Sequence, residues 1–194
     1  MRVIILGMLF CGLFVNCYGQ QFQTRTGYLK VKSSSKYMDI EADNYQVYSS
    51  IDFDTKEVTV TGLMKSFEFE MGALDRAFNS SHLDLSEYPK FNFKGILRNP
   101  NLIDLTTPGQ YKTRVKGNLT IGEYKRSNPA DAIFTVNEDG SISVVVDLSI
   151  ELEDANLERI NQVMKERLPS LIAIDVNKIG VSKNIEVYLN LTYK

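Results

Sequence analysis

Alternation of apolar and polar residues with a period of two recurs along almost the whole chain from residue 20 onward. It is plainest at Ile142, Val144, Val146, Leu148, Ile150 and Leu152, with Ser143, Asp147, Ser149 and Glu151 between them. Ile185, Val187, Leu189 and Leu191 repeat it against Glu186, Asn190 and Thr192. Tyr111, Val115, Leu119 and Ile121 do so against Lys112, Arg114, Lys116 and Asn118. Period two means one buried and one wet face, the habit of antiparallel strands; parallel strands would read as unbroken apolar runs. Further runs at Tyr28–Lys32, Val47–Phe53, Val58–Met64, Phe91–Arg98 and Ala132–Val136 bring the expected strands to eight. Turn signals divide them at Asp52–Lys56 and at Asn137–Gly140, the latter with the Asp-Gly pair that favours a tight hairpin. The apolar parity shifts from Val58, Val60 and Met64 to Phe67, Phe69 and Met71, which predicts a β-bulge near Lys65-Ser66.

Two stretches break the alternation. Gly72–Phe78 carries Leu74 and Phe78 at helical spacing and predicts a short helix ending near Asn79. Asn156–Leu168 is a fuller helix, capped by Asp154 or Asn156, with Leu157, Ile160, Met164 and Leu168 on one stripe and Pro169 after it. The stripe is read as packing over one end of the sheet structure. Eight amphipathic strands make a sandwich or a barrel, and parity does not distinguish the two.

The N-terminus changes the picture of where the protein works. Arg2 is followed by Val3–Val15, a run without charge whose length suits the core of a signal peptide and falls short of the roughly 20 residues of a membrane span. Cys17 and Gly19 place small residues two apart, so cleavage is expected after Gly19. That divides the chain into a signal peptide, residues 1–19, and one domain, residues 20–194. Retention of this segment as an anchor helix is the competing reading. Both cysteines, Cys11 and Cys17, fall in the leader, so the mature chain has no disulfide and no thiolate metal site. Phe14-Val15-Asn16-Cys17 departs from a lipoprotein signal, which prefers Leu first and a small residue before the cysteine; lipidation at Cys17 is the lesser alternative. Loss of Arg2 with the leader takes the formal net charge from −2 to −3, and no basic run exceeds two residues, so nucleic acid is not an expected partner.

Candidate chemistry is sparse. The single histidine, His82, has no cysteine or second histidine to share a zinc ion. Ser80 or Ser81, His82 and Asp84 lie too close in sequence for a catalytic triad, and no nucleophile elbow is present. Glu151, Glu153 and Asp154 read as a solvated strand end rather than an acid–base pair. No catalytic residue, metal ligand or cofactor is assigned. The sequons at Asn79, Asn118 and Asn190 carry little weight if the source is bacterial. Tyr28, Tyr48 and Tyr188 stand opposite the core-facing residues of their strands, and exposed tyrosines are common at interfaces and at homodimer contacts.

The stretch Leu83–Lys94, with its Glu87-Tyr88-Pro89 step leading into Phe91-Asn92-Phe93-Lys94, resembles a signature of the YceI-like family. Val115-Lys116-Gly117-Asn118-Leu119-Thr120-Ile121 is similar to that family's Val-x-Gly-x-Leu-Thr-Ile strand, and the order of hairpins and motifs fits along nearly all of the mature chain. Family members continue with His-Gly where this chain has Gly122-Glu123-Tyr124, and Asn79–His82 stands where they carry a longer helical stretch. The resemblance implies an exported, eight-stranded, lipocalin-like antiparallel barrel with one or two short helices. It implies an apolar cavity for a polyisoprenoid, an isoprenoid quinone or a similar chain lipid. Inward residues Phe91, Phe93, Val115, Leu119, Val144, Val146, Leu148, Val187 and Leu189 would then line the tube, and Gly62, Gly95 and Gly117 would leave room in it. The expected function is a periplasmic or secreted carrier that meets a membrane only as a lipid source or through Cys17. The alternative is a filled barrel acting through its surface as an adhesion module.

Overall fold

The computed structural model describes residues 21–34, 39–78, 88–122, 124–153, 158, 162 and 181–194. The strands are β1 (Gln21–Ser34), β2 (Asp39–Asp52), β3 (Glu57–Leu63), β4 (Glu68–Phe69), β5 (Lys90–Leu97), β6 (Gly109–Ile121), β7 (Tyr124–Val136), β8 (Ile142–Glu151) and β9 (Asn184–Tyr193). All pairings are antiparallel in the order β1-β9-β8-β7-β6-β5-β3-β2, and β2 pairs back onto β1 to close an eight-stranded barrel. Closure removes the sheet edges and leaves an interior wide enough for side chains or one small ligand. β4 is a ninth, two-residue strand, pairing Phe69 and Glu68 with Ala42 and Asp43 of β2. The short helix α1 (Gly72–Phe78) falls where helical spacing placed it; of the Asn156–Leu168 segment only Glu158 and Gln162 are described, both helical, and His82 lies outside the described residues.

The parity shift after β3 is not a bulge. Met64–Ser66 forms a single 3₁₀ turn that takes the chain from β3 to β4. β2 thereby loses its ladder partner between Asp43 and Tyr48. The fully buried Asn44 fills the gap: its Nδ2 donates to the Leu63 carbonyl at 3.1 Å, and its Oδ1 accepts from the Gln46 amide at 2.9 Å. A buried amide is tolerated because both ends of it are bonded.

Several strands outrun the apolar alternation that announced them. β1 begins at Gln21 rather than Tyr28, with register shifts on both sides of Gly27. There a Cβ would press on Leu191 at 2.5 Å and on the Val47 carbonyl at 3.0 Å, so only glycine permits the close approach. β7 begins at Tyr124 rather than Ala132, because its inward positions before Ala130 are Tyr, Arg and Asn. The Asn137–Gly140 turn is as expected, with Gly140 at φ 79°.

The core is densest at the end that holds the β2–β3 and β7–β8 turns. Tyr193, Phe134, Ile51 and Val47 are essentially fully buried there. Phe22, Phe53 and Phe134 make successive edge contacts with ring centroids 5.8 and 6.3 Å apart, the arrangement aromatic quadrupoles favour. Tyr193 Oη lies 2.8 Å from Ser49 Oγ, which itself donates to the Thr59 carbonyl at 2.9 Å, so the tyrosine is the donor of the pair. Burial holds the Tyr193 phenol above its ordinary pKa.

Candidate functional site

Above that floor the barrel encloses a cavity of about 370 Å³, within the range of roughly 300–1,000 Å³ typical of small-molecule sites. All nine residues expected from parity to face inward line it: Phe91 and Phe93 from β5, Val115 and Leu119 from β6, Val144, Val146 and Leu148 from β8, Val187 and Leu189 from β9. They converge because each strand keeps its alternation through an unbroken register, Phe93 opposite Leu119 and Val146 opposite Leu189. Parity did not reach the contributions of the first strands and the β3–β5 connection: Leu29, Ala42, Met64, Phe67 and Phe69 also line the space. The runs containing these residues are interrupted by the register shifts around Gly27 in β1, by Asn44 in β2 and by the 3₁₀ turn, so their apolar side was not readable as one face.

The three inward glycines do not leave the cavity empty, contrary to expectation. A Cβ at Gly62 would fall on the Phe91 ring. One at Gly95 would meet Phe93 Cε1 at 2.8 Å, and one at Gly117 would collide with the Lys94 carbonyl, Gly95 Cα and the Phe93 ring. The glycines are seats for phenyl rings laid flat against the wall, and Gly95 faces Gly117 directly across the ladder. Aromatic side chains covering strand glycines pin register and shield bare backbone. The void lies inward of those rings.

The wall is incomplete on one side. β7 spans 13 residues and β8 spans 10. Among the described residues the two pair only over Ala132–Val136 against Val146–Ile142. Toward the β6–β7 hairpin they part. One lip of the split carries Tyr124, Arg126 and Asn128; the other carries Leu148 and Ile150. Tyr124 and Asn128 line the cavity, and Arg126 stands between them on the same face. Tyr124 Oη, Arg126 Nη1 and Asn128 Oδ1 are each buried without a hydrogen-bond partner. The other polar lining residues are bonded within the fold, Lys32 to Asp39 and Glu41, Ser33 to Ser182 and Tyr193 to Ser49, and no lining residue among those described is acidic.

Ser80, Ser81, His82, Asp84 and Asp154 lie outside the described residues. Glu151 pairs with Lys183 at 3.3 Å, and among the described residues no three His, Cys, Asp or Glu side chains are grouped to hold a metal. On the outer surface Tyr28 stacks on Tyr45 at 5.2 Å and meets Tyr188 edge-on at 6.1 Å. Tyr28 Oη donates to Asp43 at 2.6 Å, and that bond holds its phenol above the ordinary pKa.

No family model and no curated protein matches the chain. Solved structures do. A polyisoprenoid binding domain from Saccharophagus degradans, described as implicated in plant cell wall breakdown, superposes with a TM-score of 0.71 at 14% identity over 91% of this chain and 99% of that one. BcnA of Burkholderia cenocepacia matches with a TM-score of 0.52 at 13% identity, covering 87% and 96% of the two chains. A mutant CJ YceI protein matches with a TM-score of 0.52 at 18% identity, covering 83% and 86%. The chain has the YceI-like barrel fold. At these identities the likeness lies in the shape of the barrel, so the contents of the YceI-like cavity in this chain must be argued from its own side chains.

Proposed function

We propose that this chain is an exported binding protein that holds a chain-like apolar ligand, a polyisoprenoid, an isoprenoid quinone or a similar lipid, inside its barrel, and that it is a carrier rather than an enzyme. The observation that supports this most directly is the 370 Å³ void with an apolar wall, closed at one end and split along one side. Each CH₂ transferred from water into such a space contributes about 0.8 kcal/mol, so a few isoprene units offset the cost of immobilising the chain. The similar barrel from Saccharophagus degradans is described as polyisoprenoid binding, which is consistent with the same class of cargo here. Export to the periplasm or medium rests on the charge-free run Val3–Val15 and the small residues Cys17 and Gly19; N-terminal sequencing of the mature protein should begin at Gln20, and a diacylated Cys17 would replace that reading with a tethered one.

The test is lipid extraction and mass spectrometry on protein purified from its native host. One chain lipid in a fixed ratio to protein is the expected result. Absence of bound lipid, together with no uptake of an apolar fluorescent probe by the delipidated protein, would overturn the carrier reading in favour of a surface-interaction module. The exposed Tyr45, stacked on Tyr28 beside Tyr188, is the surface such a module would use.

A further inference from the structure

Most of the cavity wall is apolar, and of the polar residues that line it Lys32, Ser33 and Tyr193 are bonded within the fold, to Asp39 and Glu41, to Ser182 and to Ser49; one further polar row is not. Tyr124, Arg126 and Asn128 occupy three successive inward positions of β7, each about 6.6 Å from the next. The β6–β7 register runs unbroken from Tyr124 opposite Ile121 to Val136 opposite Gly109, so no bulge turns any of the three away. Their ladder partners on β6 are Ile121, Leu119 and Gly117, which offer no side-chain hydrogen bond. Across the split stand Leu148 and Ile150. The three buried polar atoms of the row meet neither each other nor any neighbour.

Such a row is costly to build. Buried polar groups are almost always bonded, and one left over calls for a partner that completes it. Arginine cannot escape by losing its proton, since the guanidinium stays charged under all ordinary conditions. Arg126 is half-buried, with its Nη1 buried and without a partner, and no acidic residue lines the cavity beside it among those described. A partner that suits this set of donors is an anion with oxygen acceptors, reached from the side of a tube shaped for an apolar chain.

We infer that Tyr124, Arg126 and Asn128 form an oxyanion-binding station in the split between β7 and β8, and that the cargo is a chain lipid ending in a carboxylate or phosphate. Arg126 supplies the charge and a planar pair of N–H donors suited to two oxygens of one head group. Tyr124 donates a third hydrogen bond from its hydroxyl. Asn128 accepts from a P–OH or other head-group hydroxyl through Oδ1, or donates from its NH₂ when the amide is turned by half a rotation. The tail then runs down the cavity toward Val146 and Leu189. This rests on the carrier reading and narrows it, favouring anionic lipids over neutral quinones or alcohols of the same length.

Displacement of an apolar fluorescent probe from the delipidated mature protein tests the inference. The competitors are hexadecanoate, hexadecyl phosphate, hexadecanol and inorganic phosphate, at a mildly alkaline pH where the acid is ionised. The wild-type protein should bind hexadecanoate or hexadecyl phosphate at least about tenfold more tightly than hexadecanol. Arg126→Gln should erase that preference, with circular dichroism and the urea midpoint reporting that the variant is folded. Equal affinity of the wild-type protein for acid and alcohol, or a preference that survives Arg126→Gln, would overturn the station and leave the carrier reading intact. Should Arg126→Gln fail to fold, the wild-type comparison alone still decides. Binding of none of the chain compounds defeats the carrier reading itself. Displacement by inorganic phosphate as effective as by hexadecyl phosphate would mean a site for a free ion, and the lipid assignment would fall.

Discussion

At the end of the barrel closed by Tyr193 and Phe134, buried polar groups are paired: Tyr193 donates to Ser49, and Ser49 donates to Thr59. At the split end, the half-buried Tyr124, Arg126 and Asn128 each keep one buried polar atom without a hydrogen-bond partner beside a void. Both ends are made by the same strands, since β7 contributes Phe134 to one and Arg126 to the other ten residues or fewer away along one chain segment. The difference separates what stabilises the fold from what is held open for a ligand. Close packing with satisfied hydrogen bonds carries stability, whereas sites are built from groups the folded protein leaves unsatisfied.

The sharpest way to break that contrast is to cut into the closed end. Phe134→Ala, at 1% exposure, should cost about 3–5 kcal/mol by urea denaturation. Truncating Leu148, which already borders the void, should fall at or below the bottom of the range of about 2–5 kcal/mol for Leu→Ala. Equal losses at the two sites would mean that the cavity collapses onto Leu148 and is not a standing void.

Gly117→Ala tests the wall between the two ends. Its new methyl must displace the Lys94 carbonyl or the Phe93 ring, an overpacking worth about 1–3 kcal/mol. Retained stability and retained probe binding would show that β5 and β6 yield more easily than the Gly95–Gly117 pairing implies.

Arg126→Met reverses the sign. Removal of a half-buried cation whose Nη1 has no partner should leave the stability of the ligand-free protein unchanged or raise it by up to about 1 kcal/mol, read as an unchanged or higher urea midpoint. A loss of more than about 1 kcal/mol would show that Arg126 has a structural partner and would erase the contrast between the ends.

The smallest effect is in acid. Asp104, in the β5–β6 connection at the closed end, accepts bonds from the Thr106 and Thr107 hydroxyls, both at 2.7 Å. These hold its pKa down at about 2 against an ordinary 3.8. A carboxyl whose folded pKa is depressed contributes stability in full above its unfolded value and loses it as pH falls through the folded one. Between pH 3.8 and about 2, then, Tm should fall less steeply in Asp104→Ala than in the parent. Parallel curves would show that the hydroxyl bonds do not outlast solvent exposure.

How far the sequence could be read followed the inward residues strand by strand. β6, β8 and β9 were legible because their inward positions are mostly apolar, and the same parity named nine lining residues that the structure gathers around one cavity. The first half of β7 was not, since Tyr124, Arg126 and Asn128 present polar side chains to the interior and period two carries no sign of which face is wet. The site-defining residues were thus hidden by the property that makes them a candidate site. The β3–β4 junction was detected as a parity shift, but a bulge and a 3₁₀ turn both reset parity, and the backbone bond from the Phe67 amide to the Met64 carbonyl, with Asn44 bonded in the gap it leaves, is what distinguishes them. The glycines were located on the correct face and given the wrong effect, because a missing Cβ does not say whether space or a neighbour's ring replaces it.

The sequence by itself determined an antiparallel, mostly two-faced set of strands, their turns, and the apolar lining of β5, β6, β8 and β9. These are local consequences of alternation and turn chemistry. Tertiary structure decided closure by β1 on β2, the void, the parting of β7 from β8, and the burial of Arg126 Nη1 without a hydrogen-bond partner. Each of these depends on distances between residues far apart in the chain. A cavity in particular is the small remainder between enclosed volume and the side chains that fill it, and no single stretch of sequence contains either quantity.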